Sequence, residues 1–327
     1  MNAFRLGKAD GAEAGAGVLM AMQNGSVAMR TATGLIGVIL NRRIFRHAIC
    51  AALGCLTLSG VAQARHWESL YAFGDSYTDS GAGYVDGDGP TAVVYLAESL
   101  GIPFTYAGDE NSAGKSLNFA VSAAQTGNGR GFQFRPAGAD CARKDPVFGR
   151  GMQMQVLDFA SRVKTGALHF DANKTLFFLA GGLNDRALPT ATTVANLKDE
   201  IRQLYKLGGR YFLLALLPTK IPDFAVVGIR LNPALARIPA DLEPGLAGAH
   251  IQLSHWGEYF DRVLEKPGNF GITNTTEQCA GRAQFGEDST PCAAPNHYFY
   301  FHGGHPSTTV QRIVAKDIER EITEAFP

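Results

Sequence analysis

Two stretches of the chain, Thr175–Ala180 and Tyr211–Leu217, are apolar at nearly every position and only strand-length. Short runs without polar alternation are the mark of strands buried on both faces. Around them, apolar residues recur at helical spacing. Val194, Leu197, Ile201, Leu204 and Tyr205 share one face of a helix that Thr193 is placed to cap and Gly208-Gly209 to end. Near the C-terminus Val310, Val314, Ile318 and Ile322 recur every fourth residue, with Ile313 beside them. Strands of this kind, alternating with amphipathic helices, need cover on both sides. The pattern therefore predicts an α/β chain with a central parallel sheet. Further elements are expected as a strand over 69–73, helices over 91–100 and 152–163, and a strand over 251–254 followed by a helix to about Leu264. In such sheets the reactive groups lie just beyond the carboxyl ends of the strands.

The N-terminal part reads differently. Arg42, Arg43 and Arg46 precede an apolar run from Ala48 to Val61, which ends in the small-x-small pattern Ala62-Gln63-Ala64. That order is the signature of an export signal, with cleavage expected after Ala64. Cys55 raises lipidation as a minor alternative. The expected organisation is a leader over 1–64 and a single domain over 65–327, secreted or periplasmic. The formal net charge of +0 for the whole chain sums a basic leader and an acidic remainder. Neither carries the basic footprint of a nucleic-acid binder. With 46% hydrophobic and 18% charged residues the chain is too apolar to be disordered. No transmembrane span is expected in the mature chain. Export permits disulfides, and Cys279 and Cys292, which flank a short polar loop, are the expected pair, with Cys141 left free or exchanged into it. No other Cys or His stands at ligand spacing near Cys279, so zinc is not expected.

Three polar clusters follow or precede predicted elements. The first, Phe73-Gly74-Asp75-Ser76-Tyr77-Thr78-Asp79-Ser80-Gly81, runs a strand straight into a serine-bearing turn. The second, Gly181-Gly182-Leu183-Asn184-Asp185, sets an amide at a neighbouring strand end. The third, His302-Gly303-Gly304-His305-Pro306, sets imidazoles just before the last helix. A serine is a weak nucleophile near neutral pH and needs a base to take its proton. The tetrahedral intermediate then needs donors aimed at its oxyanion. Serine, imidazole and amide are together the parts of an acyl-transfer site. The Gly-rich stretch Gly81 to Gly89 lacks the spacing and lysine of a phosphate loop, so nucleotide binding is rejected. The aromatic run Tyr298–Phe301 reads as core packing, with an acyl pocket as the alternative.

In block order and over the whole mature domain, these residues resemble the GDSL-type or SGNH hydrolases. Phe73–Gly81 resembles that family's nucleophile block, Asn118–Ala123 its second block, Gly182–Asp185 its third, and His305-Pro306 its last. The resemblance implies a three-layer α/β/α fold of flavodoxin-like type. It implies Ser76 as nucleophile and His305 as base. The oxyanion donors would be the Ser76 N–H, the Ala123 N–H and the Asn184 side chain, with Gly74, Asp75, Gly182 and Asp185 in support. The family has Gly where this chain has Ala123, a change of little consequence unless φ must be positive there. The larger departure is His302, which stands where the family places the triad Asp. An imidazole cannot stabilise an imidazolium as a carboxylate does. A backbone carbonyl orienting His305 in a Ser–His dyad is the favoured reading. A carboxylate from elsewhere, or an impaired enzyme, are the others. The expected function is ester hydrolysis through an acyl-enzyme, by a monomer without metal or cofactor. The substrate would be a small-molecule, lipid or glycan ester. A carbohydrate O-acetylesterase and a catalytically silent binding protein are the rivals.

Overall fold

The computed structural model describes residues 65–129 and 150–327. The expected leader, Cys141 and most of the expected loop over 125–150 lie outside the described residues.

Nine strands and seven α-helices follow one another along the described chain: β1 (Ser69–Gly74), α1 (Ala92–Ser99), β2 (Phe104–Tyr106), β3 (Ser116–Asn118), α2 (Met152–Lys164), β4 (Thr175–Ala180), α3 (Thr190–Lys206), β5 (Tyr211–Ala215), α4 (Ala225–Leu235), α5 (Ile238–Leu242), β6 (His250–Ser254), α6 (Trp256–Glu265), β7 (Asn274–Gln278), β8 (Tyr298–His302), β9 (His305–Pro306) and α7 (Thr308–Ala325). Six of the strands form one sheet in the order β2-β3-β1-β4-β5-β6, parallel at every pairing. Both predicted all-apolar runs, β4 and β5, are buried along their whole length, as they must be with helices on both sides. Helices α2, α3, α4 and α5 pack among themselves, and α1, α6 and α7 pack among themselves. The sheet thus lies between two helical layers, the three-layer α/β/α arrangement.

The strand order reverses around β1: the chain goes from it to β2 at one edge, comes back to β3 beside β1, and then crosses to β4 on the other side. This is the switch point at which open α/β sheets form their crevice. Ser76, the β3 exit and the β4 exit all meet there.

Some local expectations shift. Helix α3 begins three residues earlier than its predicted cap, after Pro189. Thr193 lies inside it and its hydroxyl instead donates to Asp185 at 2.7 Å. Strand β5 stops at Ala215, short of Leu217. Strands β2 and β3 are three residues each, too short to leave a readable period. Helix α4 contains Pro233, which weakens its pattern. A second, small sheet, β7-β8-β9, has β8 and β9 antiparallel with His302 opposite His305. The aromatic run Tyr298–Phe301 is β8, with Phe299, Tyr300 and Phe301 buried, so these rings pack inward. Cys279 and Cys292 are disulfide-bonded. Among the described residues, no helix is long and apolar enough to cross a membrane.

Candidate active site

The nucleophile turn is shaped by what precedes and follows Ser76. At the end of β1 a Cβ on Gly74 would stand 2.7 Å from the Ala180 carbonyl oxygen of β4, so only glycine fits between the paired strands. Beyond it the backbone N–H groups of Thr78 and Asp79 both donate to the Asp75 carbonyl at 2.9 Å, winding the chain into one helical turn that carries Ser76. Gln155 of α2 grips Gly74 from both sides. Its Oε1 accepts the Gly74 N–H at 3.0 Å and its Nε2 donates to the Gly74 carbonyl at 2.8 Å.

The neighbouring exits are tied to this turn through Asp79. Its Oδ1 accepts the Gly81 and Gly83 N–H groups at 2.9 and 3.2 Å, and its Oδ2 accepts the Ser122 N–H at 2.7 Å. That last bond fixes the residue beside Ala123. Ala123 occupies the third position of a turn closed by the Ala124 N–H donating to the Val121 carbonyl at 3.1 Å, and its φ is +65°. A left-handed backbone at this turn position is where glycine is favoured. On the β4 exit, Gly182 at φ +122° lets the chain bend directly out of the strand. Asn184 Nδ2 donates to the Ala124 carbonyl at 3.0 Å, which ties the β4 exit to the Ala123 turn and leaves one amide hydrogen over. Asp185 braces the whole edge. Its carboxylate accepts the Thr126 N–H at 3.1 Å and the Thr126 and Thr193 hydroxyls at 2.5 and 2.7 Å. Among the described residues, neither the Ser76 nor the Ala123 N–H is spent on another acceptor.

The imidazole arrives from the second sheet. Ser76 Oγ and His305 Nε2 are 2.7 Å apart, and both residues are buried. The Gly303 carbonyl accepts from His305 Nδ1–H at 3.0 Å and from the Arg282 guanidinium at 2.7 Å. The guanidinium also lies directly against Nδ1. A carbonyl can only accept and a guanidinium can only donate, so the two neighbours of Nδ1 favour opposite tautomers; the one with its hydrogen on Nδ1, bonded to Gly303, leaves the lone pair of Nε2 toward the serine hydroxyl. Tyr77, next to the serine, donates its hydroxyl to the Gly304 carbonyl at 2.5 Å and sets its ring 5.3 Å from the His305 ring.

His302 pairs with His305 across the β8–β9 turn but makes no side-chain hydrogen bond to it. It is buried, stacks on Tyr84 with ring centroids 6.1 Å apart, and points Nδ1 toward Asp86 Oδ1 at 3.6 Å. Asp86 is the residue that sequence reasoning missed. One oxygen lies 2.8 Å from Arg282 Nε, and the other lies 3.7 Å from His305 Nε2. Gln155 and Asp79 were likewise not singled out. A carboxylate shortly after the nucleophile block was visible in the sequence, but nothing in its spacing pairs it with a histidine near the C-terminus.

Burial dominates the electrostatics here. It holds His305 below the ordinary imidazole value; Asp86 pulls the other way, and Arg282 pushes with the burial. Burial would raise the Asp86 carboxyl, but His305, His302 and Arg282 around it overcome this and leave it below its usual range. Asp75, fully buried with a single N–H from Tyr77 at 3.2 Å, is pushed up to about 8, mainly by desolvation. Asp79 is pushed up to about 6 by the same cause, against its three backbone donors.

Of the sequence-predicted residues, the fold brings Ser76 against His305 and ties the Ala123 and Asn184 turns to the same end of the sheet, with Gly74, Asp75, Gly182 and Asp185 in the turns themselves. His302 lies beside the site as a neighbour of Asp86. A serine hydroxyl within hydrogen-bond reach of an imidazole, with unspent backbone N–H groups close along the chain, has the parts that acyl transfer requires.

No curated protein matches the chain. Similar solved structures include a lipolytic protein of the G-D-S-L family from Veillonella parvula DSM 2008, with 14% identity, a TM-score of 0.43, and 76% of this chain and 95% of that one covered. Another is an acetylxylan esterase from Geobacillus stearothermophilus, with 14% identity, a TM-score of 0.41, and 79% of this chain and 95% of that one covered. The profile of the GDSL-like lipase/acylhydrolases matches residues 70–318, from the first strand into the last helix, and the chain belongs to that family.

Proposed function

We propose that this protein is a secreted or periplasmic serine ester hydrolase working through an acyl-enzyme on Ser76. The observation that carries the reading is the 2.7 Å contact between Ser76 Oγ and His305 Nε2, with the Gly303 carbonyl on the opposite ring nitrogen. His305 takes the hydroxyl proton as Ser76 Oγ attacks the ester carbonyl carbon. The developing oxyanion is met by the Ser76 and Ala123 N–H groups and the Asn184 amide. His305 then passes its proton to the departing alcohol oxygen. In the second half, water gives a proton to His305 as its oxygen attacks the acyl carbon. Ser76 leaves with that proton and the acid is released. No step calls for a metal or organic cofactor.

A backbone carbonyl in place of the triad carboxylate keeps the tautomer correct, which supports an active dyad over a silent binding protein. Export is supported by the Arg42–Ala64 pattern and by the Cys279–Cys292 disulfide. The substrate is an ester of small size or with a lipid or glycan component. A cleft walled by Pro222, Val226 and Val227, with Arg186 and Arg230 at its sides, offers an apolar surface with cationic edges. Arg186 follows the Asn184 loop by two residues, and Asp223 of the same cleft packs on Gly304.

Ser76→Ala is expected to abolish hydrolysis of a short p-nitrophenyl ester and labelling by a fluorophosphonate. Full activity in that variant overturns the assignment.

A further inference from the structure

Asp86 is fixed where it is by the last helix. The Thr308 N–H at the start of α7 donates to Asp88 Oδ1 at 2.6 Å, and the Thr308 hydroxyl donates to the Pro90 carbonyl at 3.0 Å. These two bonds clamp the loop against the segment that carries His305. The Asp86 side chain is 7% exposed, and its carboxylate bridges three cationic or potentially cationic groups, none from its own loop. Oδ1 faces Arg282 Nε and His302 Nδ1, at 2.8 and 3.6 Å, and Oδ2 faces His305 Nε2 at 3.7 Å. Neither Oδ1, Arg282 Nε nor His302 Nδ1 has a well-aligned hydrogen bond among the described residues. The cluster is therefore held by charge more than by directed bonds.

A triad carboxylate does two separate things: it orients the imidazole, and it stabilises the imidazolium that forms in the transition state. We propose that this protein divides the two tasks, with the Gly303 carbonyl orienting His305 through Nδ1 and the Asp86 carboxylate stabilising its imidazolium from the Nε2 side. The proposal rests on the Ser76–His305 reading above. A charge separation of 3.7 Å in a buried setting is close enough to matter, because little water screens it. Arg282 has an opposed part: it anchors Asp86 and shares the Gly303 carbonyl, but its own charge disfavours the imidazolium. His302 adds to that opposition when protonated. The remaining faces of His305 meet Ser76 and the rings of Tyr77 and Phe224.

The test is the pH profile of kcat/KM for ester hydrolysis. His305 must be neutral to act, so activity rises with pH through its titration. Asp86→Asn leaves Arg282 unopposed, and the acidic limb is expected to move about one pH unit lower while kcat falls roughly 10- to 100-fold with KM little changed. Arg282→Gln removes the opposing charge and should move the limb the other way. In an Asp86→Asn, His302→Asp double variant, a carboxylate returns three residues before His305 and is expected to recover at least about tenfold of the lost kcat. Thermal unfolding of each variant accompanies the kinetics, since a merely structural role lowers stability without moving the limb. Should Asp86→Asn not fold, Asp86→Ser carries the same test, with the same downward shift expected and an unmoved limb overturning the proposal. An unmoved limb in Asp86→Asn with kcat near wild type, or limbs moving the same way in both single variants, overturns the proposal. If Ser76→Ala is dead while Asp86→Asn behaves as wild type, only the role of Asp86 fails; if Ser76→Ala is active, the site reading itself fails.

Discussion

Ala123→Gly should stabilise this protein, although glycine substitutions ordinarily do the reverse. Ala123 is held at φ +65°, a region in which the Cβ of an L-residue crowds the backbone. The strain is about 1–2 kcal/mol for a non-glycine residue. Replacing Ala by Gly removes it, and costs about 0.4–1 kcal/mol through the larger freedom of glycine in the unfolded chain. The balance is a gain of roughly 0.5–1 kcal/mol, which for a domain of this size raises Tm by about 1–4 °C. The turn itself is retained, because the Ala124 N–H to Val121 carbonyl bond and the Ser122 N–H to Asp79 bond use neighbouring backbone. The N–H proposed as an oxyanion donor stays in place, so kcat on a p-nitrophenyl ester should stay within about twofold of wild type. Ala123→Val is the matched opposite: a branched Cβ at the same φ should cost about 2 kcal/mol. Thermal unfolding by calorimetry, with ester hydrolysis on the same samples, reads all three proteins. A Tm for Ala123→Gly below wild type would refute the strain argument.

Two other outcomes follow from the same structure. Burial pushes Asp75 to about 8 and Asp79 to about 6, above their unfolded values, so the folded state binds protons that the unfolded state releases. Their stabilising contribution is full at pH below about 4 and is lost as pH rises through about 6 and 8, so Tm should fall between pH 6 and 8. Asp75→Asn should flatten that slope, and an unchanged slope would show that Asp75 is ionised in the fold. The Cys279–Cys292 disulfide closes a loop of sequence separation 13 that carries Arg282. Replacing both cysteines with serine should cost about 3 kcal/mol and lower esterase activity by loosening Arg282 from Gly303 and Asp86; unaltered kcat in a destabilised protein would separate the loop from the site.

The central sheet was legible because its evidence is local. β4 and β5 are apolar at successive positions, and α3 and α7 repeat at helical spacing, so each segment announces its own environment. The nucleophile turn was legible for the same reason: a strand ending in Gly74, followed at once by Asp75 and Ser76, is a contiguous string. β2 and β3 left no signal because a three-residue strand has no period, and the β8–β9 pairing left none because β9 is two residues long and the aromatic run reads as core packing whether or not it is paired.

By itself the sequence determined the class of fold and the chemical types present at the strand ends, since burial pattern and turn chemistry are properties of neighbours along the chain. The tertiary structure alone decided which groups act on His305. The Gly303 carbonyl bonds Nδ1 because the β8–β9 turn bends that carbonyl back toward the ring, and a carbonyl has no sequence signature. Asp86 faces Nε2 because α7 packs on α1 and pins the Asp86 loop through Thr308. Ala123 adopts its positive φ because Asp79 holds the adjoining N–H from another loop. Each is a contact between distant segments, set by how the crossovers close around β1, and no local pattern of residues encodes such a distance.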